Sequence, residues 1–334
     1  MTPIRLGVVG AGLIWMRTHR QILLNMRDVF ELTAFCDVSE ERRAAVAQEF
    51  PNAQVVADHH RLFALPEVDT VLILTPIALN APLALAALRA GKHVIMEKPI
   101  ARSVAEGQTL AATARELGLR LWVTEQMAYR QAETTLAELI SSRAIGDLIM
   151  WTRVAHFEGD TVQGALRYET TAWRKAADFP LGTLFDGGIH LIAGLSKVFG
   201  VPEYVSASGR QLQPEYGEYD HVAMMFHYRN GMVGMLSHST YLPPLHNFFH
   251  IHGTAGVITV ESDRFVVQEQ GQPPRTISIP GENSYNSMWQ ALAKALQANT
   301  EPYYTSQKAV NDVAILEMVD RSIKTGQRMP VPVD

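Results

Sequence analysis

Through the first third of the chain, short apolar runs alternate with longer stretches whose apolar positions recur at helical spacing. The runs are Ile4 to Val9, Glu31 to Cys36, Gln54 to Ala57, Val68 to Leu74, His93 to Met96 and Leu121 to Thr124. Short runs of this kind suit strands buried on both faces of a parallel sheet. Between them the pattern predicts helices after Gly12 to about Met26, from Glu40 to Phe50 behind a Ser39 cap, from Ala81 to Ala90 with Gly91 as the stop, and from Ser103 to Gly118. Such strict alternation specifies a doubly wound parallel α/β sheet.

The rhythm changes near Glu125. A helix from Thr134 to Ser142 is followed by longer strand-like runs: Asp147 to Phe157, Pro202 to Gln211, Asp220 to Tyr228, Met232 to Tyr241, Asn247 to His252 and Gly256 to Val260. Short turns such as Arg229-Asn230-Gly231 join several of them, which suits a large, mostly antiparallel open sheet. A helical piece, Asp186 to Phe199, interrupts the runs, and helices near Ser287 to Ala298 and Ser306 to Thr325 close the chain. The expectation is two domains: residues 1–125, and an α+β domain over residues 126–334 whose closing helix can pack back on the first.

Composition narrows the class. Of 334 residues, 47% are hydrophobic and 19% charged, so two packed cores are expected. A net charge of −5 without charge runs argues against nucleic acid or an anionic membrane as partner. Cys36 is the single cysteine, so no internal disulfide forms, and a cytoplasmic location is expected. The N-terminus enters an apolar strand with no signal-peptide pattern, and no apolar stretch is long enough to span a bilayer.

Two turns carry candidate chemistry. Gly10-Ala11-Gly12 joins the first strand to the first helix. The first glycine permits a tight turn, the second lets backbone approach a pyrophosphate, and Leu13 and Ile14 open a helix whose N-terminus favours anions. The third small position of that motif is occupied by Trp15, which predicts a wider loop or a displaced helix. Asp37 ends the second strand, where a carboxylate accepts from both ribose hydroxyls and favours NAD. Arg42 and Arg43 keep NADP open, either as 2′-phosphate partners or as solvated helix residues. Glu97-Lys98-Pro99 closes the fifth strand and delivers a lysine to the carboxyl edge of the sheet, where open α/β sheets bind ligands. A solvated lysine on a turn is the competing reading.

Together these features resemble the Gfo/Idh/MocA family of glucose–fructose oxidoreductase, inositol dehydrogenase and relatives. The resemblance rests on Gly10-Ala11-Gly12, Asp37, Thr75-Pro76, Ala90 to Val94, Glu97-Lys98-Pro99, Ala144-Ile145-Gly146, Trp173-Arg174 and Asp186-Gly187-Gly188-Ile189-His190. It implies an N-terminal Rossmann domain binding NAD, or NADP, and a C-terminal domain for substrate and oligomerisation. It implies that Lys98, Asp186 and His190 form the catalytic group, the lysine meeting the other two beside nicotinamide. It implies a cis Lys98–Pro99 bond, Thr75 and Pro76 lining the cofactor with Asn80, and Glu97 near the nicotinamide ribose. Asn80 stands where many relatives have histidine, and Ala193 where an aspartate is common.

The residue types suit that chemistry. Removing hydride from a secondary alcohol requires that its hydroxyl proton leave too, and His190 is a suitable acid/base. Asp186 lies one helical turn earlier, able to hold a substrate hydroxyl or orient the imidazole. Lys98 would polarise the reacting oxygen. The structural alternative makes Asp186 a helix N-cap and His190 a half-buried helix residue. Trp173 and Arg174, and Tyr129 and Arg130, are candidate substrate contacts, with a surface ion pair and structural anchoring as their alternatives. The histidines of the second half lack the acids of a metal site, so no metal is expected. A homodimer or homotetramer through the C-terminal sheet is expected. The reading is an NAD(P)-dependent oxidoreductase interconverting hydroxyl and ketone on a sugar, cyclitol or sugar derivative. An NAD-dependent glycosidase working by transient oxidation and a non-catalytic NAD- or sugar-binding regulator remain the alternatives.

Overall fold

The computed structural model describes residues 2–157, 173, 181–182, 184–212, 217–240 and 242–332. The chain divides into two compact units, Met1–Tyr129 with Asn283–Val310, and Arg130–Glu282 with Asn311–Asp334. In the first unit, strands β1 (Ile4–Val9), β2 (Phe30–Cys36), β3 (Gln54–Val56), β4 (Thr70–Ile73), β5 (His93–Glu97) and β6 (Leu121–Thr124) form one sheet in the order β3-β2-β1-β4-β5-β6. Every neighbouring pair is parallel. The connecting helices are α1 (Arg20–Leu24), α2 (Glu40–Glu49), α3 (His59–Phe63), α4 (Ile77–Arg89) and α5 (Val104–Glu116). The Ser39 side chain caps α2 by accepting from the Arg42 N–H, as its residue type and position predict.

The second unit carries α6 (Gln131–Ser141), β7 (Leu148–His156), α7 (Ile189–Phe199), β8 (Tyr204–Arg210), β9 (His221–His227), β10 (Val233–Ser239), β11 (Phe248–Gly253), β12 (Gly256–Val260), β13 (Arg264–Glu269) and β14 (Arg275–Ser278). The chain closes with α8 (Ser284–Ala298), α9 (Ser306–Thr325) and the two-residue β15 (Met329–Pro330). The nine strands form one sheet in the order β14-β13-β12-β11-β7-β10-β9-β8-β15. All its pairings are antiparallel except β10 with β7. Six strands were expected; β13, β14 and β15 are additions.

Residues 283–310 belong with the first unit, not the second as a division at 125 implies. The reason is apolar burial: Met288, Trp289, Leu292, Ala293 and Ala295 of α8 join the core that holds Leu6, Val8, Trp15 and Leu72. In the second unit Trp151 stacks on Phe199 at 5.3 Å and lies 5.3 Å from Phe226, so α7 and the sheet share one aromatic centre. Among the described residues, no helix is long and apolar enough to cross a membrane.

Candidate active site

Strands β1, β4 and β5 are neighbours, so the turns that leave them lie side by side at the carboxyl edge of the first sheet. Strand order reverses between β1 and β4, the switch point where such sheets bind ligands. Gly10 leaves β1 with φ +97°, and a Cβ there would fall 2.7 Å from the Leu74 carbonyl oxygen. Only glycine fits this crossing. At Gly12 a Cβ would meet nothing nearer than Arg42 Nη1 at 3.5 Å, so the backbone stays open to a ligand. Leu13 and Ile14 are half-exposed at the start of the helix, where the first N–H groups have no intrahelical acceptor. These residues fit a dinucleotide pyrophosphate.

Trp15 does not disturb this loop from above; its side chain is fully buried, edge-on to Phe35 at 5.3 Å. Trp15–His19 is a π-helical turn in which the Arg20 N–H bonds back to the Trp15 carbonyl. Both Trp15 and His19 are fully buried. The buried Asp37 carboxylate accepts from the Ala11 N–H through Oδ2 and the Ser39 N–H through Oδ1, each at 2.8 Å. It ties the glycine loop to the β2–α2 turn and keeps lone pairs for ribose hydroxyls. Arg42 Nη1 lies 3.6 Å from Asp37 Oδ2, whereas Arg43 is spent on the carbonyls of Asp37 and Val38.

At the end of β5 the Glu97 carboxylate is buried, and Oε1 takes His19 Nε2 at 2.8 Å and Thr124 Oγ1 at 2.9 Å. Burial opposes its ionisation, but the bond from His19, the nearby Lys98 and the Thr124 hydroxyl outweigh it and hold the carboxyl below its ordinary range. Lys98 follows, half-exposed between buried Glu97 and Pro99, and the Lys98–Pro99 peptide bond is cis. Thr75 and Pro76 begin the next turn, Pro76 standing at the N-cap of α4. Asn80, expected among the cofactor contacts, is fully buried. Its amide accepts from Thr75 Oγ1 at 2.9 Å and donates to the Glu97 carbonyl at 3.2 Å, bracing the crevice from behind.

In the second unit Leu184–Gly188 is also π-helical and runs straight into α7. Leu184, Phe185, Gly188 and Ile189 are buried, while Asp186 and His190 are half-exposed. The segment is pressed down at Gly188, where a Cβ would fall 2.4 Å from Leu184 Cδ1 and 3.5 Å from His238 Nε2. Gly188 occupies the N-cap of α7 and no side chain bonds there, so Asp186 is not the cap. Trp173 is half-buried; Arg174 lies outside the described residues.

Tyr129 and Arg130 are engaged locally. Tyr129 Oη accepts the Tyr304 N–H at 3.1 Å, and burial pushes its phenol up to about 12. Arg130 Nε lies 3.0 Å from Glu133 Oε2. Sequence reasoning missed His19, Thr124 and Trp289, whose indole N–H donates to His19 Nδ1 at 3.0 Å. The one local signal was spacing: His19 falls four residues after Trp15, on the same buried side of the helix.

Residues 4–125 match the model of an oxidoreductase family with an NAD-binding Rossmann fold, GFO_IDH_MocA, and residues 134–259 match the GFO/IDH/MocA C-terminal domain. The chain is 24% identical over 350 residues to a scyllo-inositol 2-dehydrogenase (NADP(+)) of Bacillus subtilis, covering 96% of this chain and 94% of that one. It is 31% identical over 264 residues to the trans-1,2-dihydrobenzene-1,2-diol dehydrogenase of Mus musculus, covering 77% and 74%. A crystal structure of an oxidoreductase from Thermotoga maritima is similar over 99% of both chains, with 29% identity and a TM-score of 0.90.

Proposed function

The chain belongs to the Gfo/Idh/MocA family of NAD-binding oxidoreductases, and on that premise we propose that it interconverts a secondary hydroxyl and a ketone on a sugar, cyclitol or related polyol. The observation that carries the reading is the edge of the first sheet, where Gly10–Gly12, Thr75 and Glu97–Lys98 leave adjacent parallel strands. Bound nicotinamide supplies a two-electron acceptor or donor for the carbinol carbon. The glycine loop and helix start hold the pyrophosphate, and Asp37 accepts from the adenosine ribose. Arg42, beside Asp37, offers a 2′-phosphate a counter-charge, so NADP is accommodated as well. Lys98 lowers the energy of the alkoxide by holding the reacting oxygen. His190 takes or returns the hydroxyl proton at a ring nitrogen, and Asp186 orients that imidazole or a neighbouring hydroxyl.

The related dehydrogenases named for scyllo-inositol and for a trans-diol support a substrate with neighbouring hydroxyls. The half-open face of the second sheet suits seating a second copy of the chain. Lys98→Ala tests the chemistry. It should lower kcat by about a hundredfold to a thousandfold across a panel of inositols and sugars. NAD and NADP affinities, read by titration, should stay within about threefold, because no part of the pyrophosphate cradle is touched. Equal loss of turnover and dinucleotide affinity would reassign Lys98 to structure.

A further inference from the structure

Four fully or nearly buried side chains meet behind Lys98: Glu97, Thr124, His19 and Trp289. They come from β5, β6, the π-turn before α1, and α8, and all lie in the first unit. Their donors and acceptors can be assigned by elimination. An indole N–H only donates. Trp289 Nε1 lies 3.0 Å from His19 Nδ1, so Nδ1 is the acceptor and the imidazole carries its proton on Nε2. That proton points at Glu97 Oε1, 2.8 Å away. The Thr124 hydroxyl, 2.9 Å from the same oxygen and 3.2 Å from the Met96 carbonyl, gives its one proton to the nearer, charged acceptor.

Among the described residues both donors converge on Oε1, which leaves the lone pairs of Oε2 for a ligand. The ring of His19 is locked as well: it stands edge-on to Trp289 at 5.7 Å and to Tyr285 at 5.9 Å. Trp289 is wedged in turn against Phe30 at 5.3 Å. A carboxylate held through one oxygen by a rigid, singly protonated ring is pre-organised for its other oxygen to bind.

We infer that His19 is a positioning residue, fixed as its Nε2–H tautomer by Trp289, and that it aims the Glu97 carboxylate at the ribose hydroxyls of the bound dinucleotide. Helix α8, returning from near the end of the chain, thereby sets the cofactor crevice without touching the cofactor. The inference rests on the reading of the Glu97–Lys98 turn as part of that crevice.

The test uses the full-length protein. A ¹⁵N spectrum of the histidine rings, with His19 assigned by its absence in His19→Gln, should show Nε2 protonated and Nδ1 bare. NADH titrations then compare three variants. His19→Leu removes the donor and should weaken NADH binding about tenfold to hundredfold, the loss of one bond to a charged group. His19→Gln can donate to Glu97 and accept from Trp289, and should stay within about threefold of the parent. Trp289→Phe keeps the ring contact but frees Nδ1, and should fall between the two. A proton found on Nδ1, or equal losses in the leucine and glutamine variants, would overturn the inference. A merely structural role would lower the melting temperatures without separating the NADH affinities. If the parent does not bind NADH at all, the crevice reading fails, while the ring spectrum still decides the His19 tautomer.

Discussion

The two sheets bury their side chains by different rules. In the first, β4 and β6 are buried at every position, and β5 from Val94 to Glu97. Helices cover both faces, as parallel topology requires. In the second, β9 alternates: Val222, Met224 and Phe226 are buried, while Ala223 and Met225 are exposed. Only one face is covered by the α7 layer. The difference decides where polar chemistry can live. The first sheet has no polar face to offer, so its candidate site groups are those where strands end, at Gly10, Thr75 and Glu97–Lys98. The second can carry polar side chains along a face, and His156 and His221 do share the Ser237 hydroxyl there, at 2.9 and 3.3 Å.

The sharpest way to break this contrast is to add one methyl group to each sheet. Gly7 lies within β1 and Gly234 within β10. A Cβ at Gly234 would fall 2.1 Å from the Trp151 indole, which is itself stacked and fully buried. A Cβ at Gly7 would meet the Leu62 Cδ2 methyl at 2.9 Å and Val68 Cγ1 at 3.0 Å, close contacts with aliphatic methyls that need a shift of only a few tenths of an ångström. Gly234→Ala should therefore cost about 3 kcal/mol or more, and Gly7→Ala about 1 kcal/mol. Urea unfolding read by tryptophan fluorescence would measure both. Equal costs would mean that the Trp151 layer is as adaptable as the aliphatic one.

Acid should separate the buried groups next. His238, on the covered face of the second sheet, is pushed down to about 3 by burial, with His156, His221 and Arg153 adding to the effect. Its folded form stays neutral while the unfolded chain takes a proton below the ordinary value of 6.5. Stability contributed by the neutral ring is thus full above that value and falls by about 1.4 kcal/mol per pH unit beneath it. Glu97 runs on a different scale. Its carboxyl is lowered, so its contribution is present above the ordinary value of 4.5 and disappears only as pH drops through the lower folded value. Between pH 6.5 and 5 the parent should lose about 2 kcal/mol that His238→Gln does not lose. Matching slopes in the two proteins would remove His238 as the source.

What the sequence discloses follows the same divide. Parallel strands were legible because burial on both faces writes unbroken apolar runs, and α9 was legible to the residue because it is long. Strands β13 and β14 were missed: β13 is short, with only Phe265 and Val267 buried, and β14 is a four-residue edge strand with no buried position. Helix α3 was missed because five residues cannot show a period. Of the candidate site residues, Gly10, Asp37 and Glu97–Lys98 are picked out by local turn chemistry alone. His19 and Trp289 are not, since they are 270 positions apart and their pairing is created only when α8 returns to the first core. Local pattern reads Asn80 the same way whether it faces ligand or braces the turn through its bonds to Thr75 and the Glu97 carbonyl.

The smallest effect should come from the uncovered face. Met225 is 38% exposed on β9, next to Met235 of β10, on the side opposite Trp151. In a lone chain Met225→Glu changes a partly exposed side chain outside the core, so its unfolding free energy should move by less than about 0.5 kcal/mol. If a second copy covers this face, the same substitution buries a carboxylate against methionine, and association should weaken while the folded chain does not. Sedimentation across a hundredfold range of concentration reads that directly: the parent should run as a larger species than Met225→Glu at equal loading. Identical sedimentation of both proteins, with the small stability change intact, would leave the face solvent-exposed and move the search for a subunit contact to the edge strands.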